Sequence, residues 1–302
     1  MEDSFYNFLK TLHVNMVILN QDGTIVKILN RSPKSHRVNC IIPYLNKIQT
    51  KENIYVLCDP DGIGCVLGKD KQTQFKEFTN NNTFLLMDII EPELYGKKCK
   101  LVPDHYILDP WFFNIIIPKI CNVDIKFNDK LPICFFRGAY TGHRILENDI
   151  LMNKRIKCAM KFKDNPFFDI KLNECDNFPK EDLKTKYNLD LVNRVDPSEY
   201  CRYKYCLSID GYVSAWRRPV EIMYARSVLL MQHSFKQYFY DRLIDGHNYI
   251  RINDDFSNLD EKVDFLIKNE DIAKQIAKHG YDLALEIFNQ NALINTLKSA
   301  IE

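Results

Sequence analysis

Apolar and polar positions along this chain fall into two textures. In the first, short apolar runs are set apart by polar stretches. VNMVILNQDGTIVKIL (14–29) reads as two strands around Asp22-Gly23, a hairpin signal. NIYVLC (53–58) and TFLLMDII (83–90) read as buried strands, and GKDKQTQFKEFTNNN between them as a helix running into a loop. From Pro103 to Cys121 the chain is aromatic, and Pro110 and Pro118 break any long helix. The second texture begins near Leu131. PICFFRG reads as a strand, TGHRILENDILMNKR as a helix, IKCAMKF as a further strand and 164–188 as irregular. Beyond Asp196 helical and strand patterns alternate: PSEYCRY, KYCLSID, a helix from Arg217, SVLLMQ, a helix FKQYFYDRL, NYIRIN, then two amphipathic helices. Alternation of this kind predicts an α/β fold with a doubly wound parallel sheet.

Size and composition narrow the classes. The 302 residues suffice for two α/β domains. Apolar residues make up 46% and charged residues 27%, the balance of a folded globular protein. A net charge of +1 argues against a nucleic-acid binder, so any anion site must be local. None of the ten cysteines forms a C-x-x-C pair, which argues against a zinc ribbon or a thioredoxin-like site. No apolar run approaches the ~20 residues that span a bilayer, and the N-terminus lacks a secretory signal pattern. The expected location is the cytoplasm.

Candidate chemistry gathers after the strands of the second texture. FFRGAYTGHR (135–144) follows a strand with Arg137, Gly138, Thr141, Gly142 and Arg144, basic and small residues that let backbone amides approach a phosphate. LSIDGYVSAWRRPVE (207–221) places Asp210, Gly211, Ser214, Arg217, Arg218 and Glu221 between a strand and a helix. Its arginines suit forked contacts with phosphate oxygens, and a helix N-terminus would add to them. Glu221 could accept from ribose hydroxyls or simply favour the helix start. Two such segments suggest a clamp on the diphosphate of a nucleotide-sugar. Asp88 and Glu91, at the end of FLLMD, are candidate bases toward a hydroxyl. Asp59-Pro60-Asp61 is a D-x-D that could hold a divalent cation or form a β-turn. His233 and His247 read as structural, and Trp111-Phe112-Phe113 as core or domain interface.

The second half resembles glycosyltransferase family 90, the group of capsule-associated xylosyltransferases and protein O-glucosyltransferases. FFRGAYTGHR, KYCLSIDGYVSAWRR, SVLLMQHSFKQYFYDRL, GHNYIRINDDFSNL and NEDIAKQIAKHG occur in the family's order over about Leu131 to Phe288. HYILDPWFF resembles a further family segment more faintly. Arg217 keeps the family register, whereas Ser214 falls one residue early and Ala215 takes its place. Ile90 stands at the family's base position, two residues before a proline, so Asp88 or Glu91 must substitute. The resemblance implies a GT-B-like fold, two Rossmann-like domains facing across a cleft. Residues 1–130 would be the acceptor-side domain and 131–302 the nucleotide-sugar domain, with the last helix returning to the first.

It also implies inverting, metal-independent transfer of xylose or glucose from a UDP-sugar to a hydroxyl of a glycan or protein. No cofactor, metal, nucleic acid or membrane span is expected. The alternatives are a metal-dependent GT-A enzyme using Asp59 and Asp61, or an inactive nucleotide- or glycan-binding module. Without a secretory signal, a microbial or viral source is expected.

Overall fold

The computed structural model describes residues 7–8, 15–28, 35–58, 69–89, 95–142, 152–174 and 180–301. The chain divides into two compact units, one formed by Met1–Phe113, Phe235–Tyr240 and Phe288–Glu302, the other by Asn114–Ser234 and Asp241–Ile287.

The first unit is built on β1 (Met16–Leu19), β2 (Ile25–Ile28), α1 (Ser35–Leu45), β3 (Ile54–Leu57), α2 (Lys69–Asn81), β4 (Thr83–Leu86), β5 (Cys99–Leu101) and α3 (His105–Leu108). The sheet order is β2-β1-β3-β4-β5. β1 runs antiparallel to β2 and β3, while β3, β4 and β5 are parallel. The Asp22 carboxylate accepts from the Thr24 amide at 2.8 Å and closes the expected hairpin. β1, β3 and β4 are buried at every position, as continuous apolar strands require. Met16, Ile18, Leu57, Phe75, Phe84 and Leu86 share their core.

FKQYFYDRL is not a helix. Lys236 and Ile89 exchange both backbone hydrogen bonds, and the one helical piece is the 3₁₀ segment Tyr240–Arg242. The aromatic side chains decide this: Phe235, Phe239 and Tyr240 are all buried, and Phe239 packs on Phe288 at 5.0 Å between ring centroids.

The second unit begins at Asn114, within a π-helical turn, Phe112–Ile116, that leads into α4 (Ile117–Cys121). Pro118 falls in the first turn of α4, where a missing N–H costs little. Then follow β6 (Leu131–Ala139), α5 (Lys154–Phe162), β7 (Phe168–Asn173), α6 (Lys180–Tyr187), β8 (Leu191–Val192), β9 (Tyr203–Ile209), α7 (Arg218–Tyr224), β10 (Val228–Gln232), β11 (Ile250–Arg251), α8 (Leu259–Lys268) and α9 (Glu270–Ile287). The sheet order is β11-β10-β9-β6-β7-β8 and every pairing is parallel. Counted from β6, that is the 3-2-1-4-5-6 order of dinucleotide-binding folds.

Residues before β6 are tied into this unit by Lys130. It is buried, and its Nζ donates to the carbonyls of Ala225 and Arg226 and to Ser227 Oγ, at the end of α7. Burial lowers its ammonium to about 8. The final helix, α10 (Gln290–Ile301), belongs to the first unit.

Two segments of this unit differ from the sequence expectation. IKCAMKF forms most of α5, and the strand is FDIKLN, inside the stretch read as irregular. Ile156, Ala159 and Phe162 recur at three-residue spacing and all turn inward, while Asn153 Oδ1 caps the helix by accepting from the amides of Arg155 and Ile156. In FDIKLN, Phe168, Ile170 and Leu172 are buried and alternate with more exposed residues, the period of a strand.

Candidate active site

An open parallel sheet offers a crevice beyond the carboxyl ends of its strands, where the strand order reverses. Here that point lies between β6 and β9. Tyr140, Thr141 and Gly142 leave β6 on one side, and Asp210, Gly211 and the loop to α7 leave β9 on the other.

A buried arginine from the first turn of α5 joins the two sides. Arg155 Nη1 donates to the Ala139 carbonyl and to Thr141 Oγ1, both at 2.8 Å. Its Nη2 and Nε donate to the Ile209 carbonyl at 2.8 and 3.2 Å. One planar guanidinium thus sets the spacing of β6 and β9 at the switch point, a role its rigid fork suits. Gly211 is required by this arrangement: a Cβ there would lie 2.8 Å from Thr141 Oγ1 and 3.1 Å from Arg155 Nη2. Gly142 takes φ +148°, and a Cβ on it would crowd Asn153 Nδ2, which donates to the Tyr140 carbonyl at 2.8 Å.

Asp210 pins the other loop. Its carboxylate accepts from the amides of Ala215 at 3.1 Å and Ser234 at 2.7 Å, and its own amide donates to Gln232 Oε1 at 3.2 Å. Ser214 is buried within this loop. Trp216 is held at φ +50° immediately before Arg217. For a bulky L-residue that conformation costs on the order of 1 kcal/mol, strain of the kind found in loops that position a site.

The arginines divide by role. Arg217 Nε lies 2.8 Å from Glu221 Oε1. Glu221 is buried, and burial pushes its carboxyl up to about 7 against the opposing pull of Arg217 and Arg218. α7 has seven residues, so its dipole is small and the charge at its start is mainly that of Arg217. Arg218 turns inward: Nη2 donates to the Arg137 carbonyl at 3.1 Å, Nε to Tyr200 Oη at 3.3 Å, and its guanidinium lies 4.9 Å from the Phe136 ring centroid. Gly138 leaves room for it, since a Cβ there would sit 2.8 Å from Arg218 Nη2. Arg137 is engaged with Asp169, at 2.6 Å to the carboxylate and 2.8 Å to the carbonyl, and lies 4.5 Å from the Phe135 ring centroid.

Thr141, Gly142, Asp210, Gly211 and Ser214 therefore gather at the switch point, just beyond the carboxyl ends of β6 and β9. Arg137 and Arg218 brace β6 beside it, and Arg144 lies outside the described residues.

In the first unit Asp88 follows β4 and is buried. β4 and β5 end in register, Leu86 beside Leu101, so Asp88 and the segment carrying Asp104 and His105 leave the sheet at the same edge. The Asp104 carboxylate caps α3 through the amides of Tyr106 and Ile107. Glu91, Asp59 and Asp61 lie outside the described residues. Among the described residues, no group of three or more His, Cys, Asp and Glu side chains is placed to hold a metal ion, and no helix is long and apolar enough to cross a membrane.

The sequence reading missed Arg155, Asn153, Gln232 and Asp254. Asn153 carried a signal, a helix-capping residue just before an apolar-periodic run. Arg155 carried none, since nothing local marks a surface-type residue that turns into a sheet.

Two α/β units, one with a six-stranded parallel sheet and polar residues gathered at its switch point, define a GT-B-like protein. Residues 110–295 match the family described as Glycosyl transferase family 90, and the chain belongs to that family. A protein of Invertebrate iridescent virus 3, 035R, is 23% identical over 202 residues, which is 62% of this chain and 18% of that one. Protein O-glucosyltransferase 3 of Homo sapiens is 34% identical over 96 residues, covering 32% of this chain and 19% of that one. The chain thus spans less than a fifth of the length of either relative. Among solved structures, Anabaena Alr3699/HepE in complex with UDP and glucose has a TM-score of 0.51 at 11% identity, over 88% of this chain and 74% of that one. That likeness is one of fold.

Proposed function

We propose that this protein transfers a glycosyl group from a UDP-sugar to a hydroxyl of a glycan or protein acceptor, with inversion and without a metal ion. The observation that carries the reading is the switch-point crevice, where Arg155, Thr141 and Gly211 lock β6 to β9 and Arg217 stands at the start of the next helix. Backbone amides of the small residues and the Arg217 guanidinium are suited to the leaving diphosphate. Glu221, beside Arg217, is suited to the ribose hydroxyls. Family membership and the glucosyltransferase relative support xylose or glucose as the sugar.

In a single displacement the acceptor oxygen bonds to the anomeric carbon as the bond to the diphosphate oxygen breaks. UDP leaves with the electron pair, and a carboxylate takes the acceptor's proton. Asp88 is the proposed base and Glu91 the second candidate. The protein would act in the cytoplasm, of a virus-infected host in the viral case.

The test is thermal melting with UDP in the presence of chelator. Stabilisation of about 2.7 kcal/mol is expected at a hundredfold excess over Kd. A shift seen only with manganese would instead favour a metal-bridged diphosphate at Asp59 and Asp61. A screen of UDP-glucose, UDP-xylose, UDP-galactose and GDP-sugars for turnover then names the donor.

A further inference from the structure

Beside the crevice, the ends of β10 and β11 and the start of α5 form a second polar array. Lys154 Nζ donates to Ser234 Oγ and, at 2.9 Å, to Asp254 Oδ2. Ser234 Oγ donates to the same oxygen at 3.2 Å, and Gln232 Nε2 to Asp254 Oδ1 at 2.9 Å. These bonds hold the Asp254 carboxyl below its usual range, although partial burial opposes them.

The array is supported from beneath. Gln232 is fully buried, and Arg251 Nη2 donates to the His233 carbonyl at 3.0 Å, fixing the backbone between Gln232 and Ser234. It is also continuous with the crevice. Asp210, which holds the loop carrying Arg217, binds the Ser234 amide at 2.7 Å. The outer groups face solvent, with the Lys154 side chain 30% and the Asp254 side chain 57% exposed.

The hydrogen-bonding capacity is unfinished. Among the described residues, Lys154 uses two of its three N–H groups and Asp254 three of its roughly four lone-pair sites. One donor and one acceptor remain, side by side on a rigid base. A pair of vicinal hydroxyls matches that: one accepts from the ammonium and the other donates to the carboxylate. A phosphate does not, because Asp254 would repel it.

We propose that Lys154 and Asp254, with Ser234, are the subsite for the sugar hydroxyls of the donor and determine which pyranose is accepted. The assignment rests on the UDP-sugar reading of the adjoining crevice. It makes Lys154 and Asp254 specificity residues that do not touch the nucleotide.

The test is isothermal titration of wild type, Asp254→Asn and Lys154→Met with UDP, UDP-glucose and UDP-xylose. Both substitutions are at partly exposed positions, and melting curves record that each variant is folded. UDP affinity should stay within about twofold in both variants, while the UDP-sugar accepted by the wild type weakens about tenfold or more, the scale of a hydrogen bond to a charged group. Equal losses for UDP and UDP-sugar would overturn the subsite, because the array would then serve the nucleotide or the fold. Unchanged affinity for all three ligands would overturn it as well. Failure of the wild type to bind UDP would overturn the crevice reading and the subsite with it, an outcome distinguished from the others by the wild-type titration alone.

Discussion

The two sheets of this protein place their polar residues differently. In the first unit, β3, β4 and β5 run parallel but β1 and β2 return antiparallel, and the strands are three or four residues long. The polar groups beyond their carboxyl ends, Asp88, Asp104 and His105, are all buried. In the second unit all six strands run parallel, and the carboxyl ends are knitted together by Arg155, Asp210, Gln232 and Asp254. Buried polar groups are costly unless their hydrogen bonds are met. The second unit meets that cost with a network spanning strands far apart in sequence, from Ala139 to Asp254. Such a network holds loops in one arrangement in advance of ligand, which would suit the diphosphate of the proposed donor. Under the proposed mechanism the first unit contributes one carboxylate, Asp88.

That contrast can be broken most severely at Asp88. Asp88→Asn should lower transfer by about two to four orders of magnitude while UDP affinity, here assigned to the other unit, stays unchanged. Steady-state rates and UDP titration together check this. Retained transfer in Asp88→Asn with loss in Glu91→Gln would move the base by three residues.

Arg155→Met tests the opposite unit. It strips four hydrogen bonds from the switch point and leaves the Ala139 and Ile209 carbonyls short of partners. A loss of about 3 kcal/mol in urea unfolding is expected, together with weakened UDP binding. Arg155→Lys should recover part of the stability and less of the binding, because an ammonium cannot reproduce the fork.

Glu221 sharpens the comparison through pH. Its folded pKa of about 7 lies above its ordinary value of 4.5. Between those limits the folded state holds a proton that the unfolded chain has released. The stability contributed by this group is therefore complete below about pH 4.5 and is lost as pH rises through 7. Glu221→Gln should remove that slope, a difference from wild type on the order of 2 kcal/mol between pH 4.5 and 7.5. Denaturant midpoints across this range would show it, and parallel curves for the two proteins would refute the shift.

The smallest effect is expected at Thr141. Thr141→Val keeps the shape against Gly211 but removes one acceptor from Arg155, at about 1 kcal/mol. UDP affinity should fall less than in Arg155→Met; a larger fall would mean that Thr141 touches the ligand itself.

Much of this was legible in the chain. The hairpin around Asp22-Gly23, the buried strands at Tyr55 and Phe84, and the parallel alternation after Asp196 follow from periodicity, because burial on both faces demands continuous apolar residues. Asp210, Gly211 and Thr141 were legible as candidates because they follow apolar strands, at the edge where open α/β sheets bind ligands. The ordered family motifs from Leu131 onward supplied the fold class. What local pattern left ambiguous was short apolar segments: IKCAMKF and FKQYFYDRL satisfy helix and strand equally well over seven to nine residues. Packing chose between them, through the inward row of Ile156, Ala159 and Phe162 and the pairing of Lys236 with Ile89.

The sequence by itself determined the element types where one period dominated, the family and the small residues of the crevice. Only the tertiary structure decided which of three similar arginines would be buried between strands. Arg155 lies between β6 and β9, Arg218 turns in over Phe136, and Arg217 remains at the start of α7 beside Glu221. The reason is physical. An arginine's role is set by the carbonyls and rings that reach it, and here those come from residues up to 81 positions away. No local pattern records that distance; the strand order does.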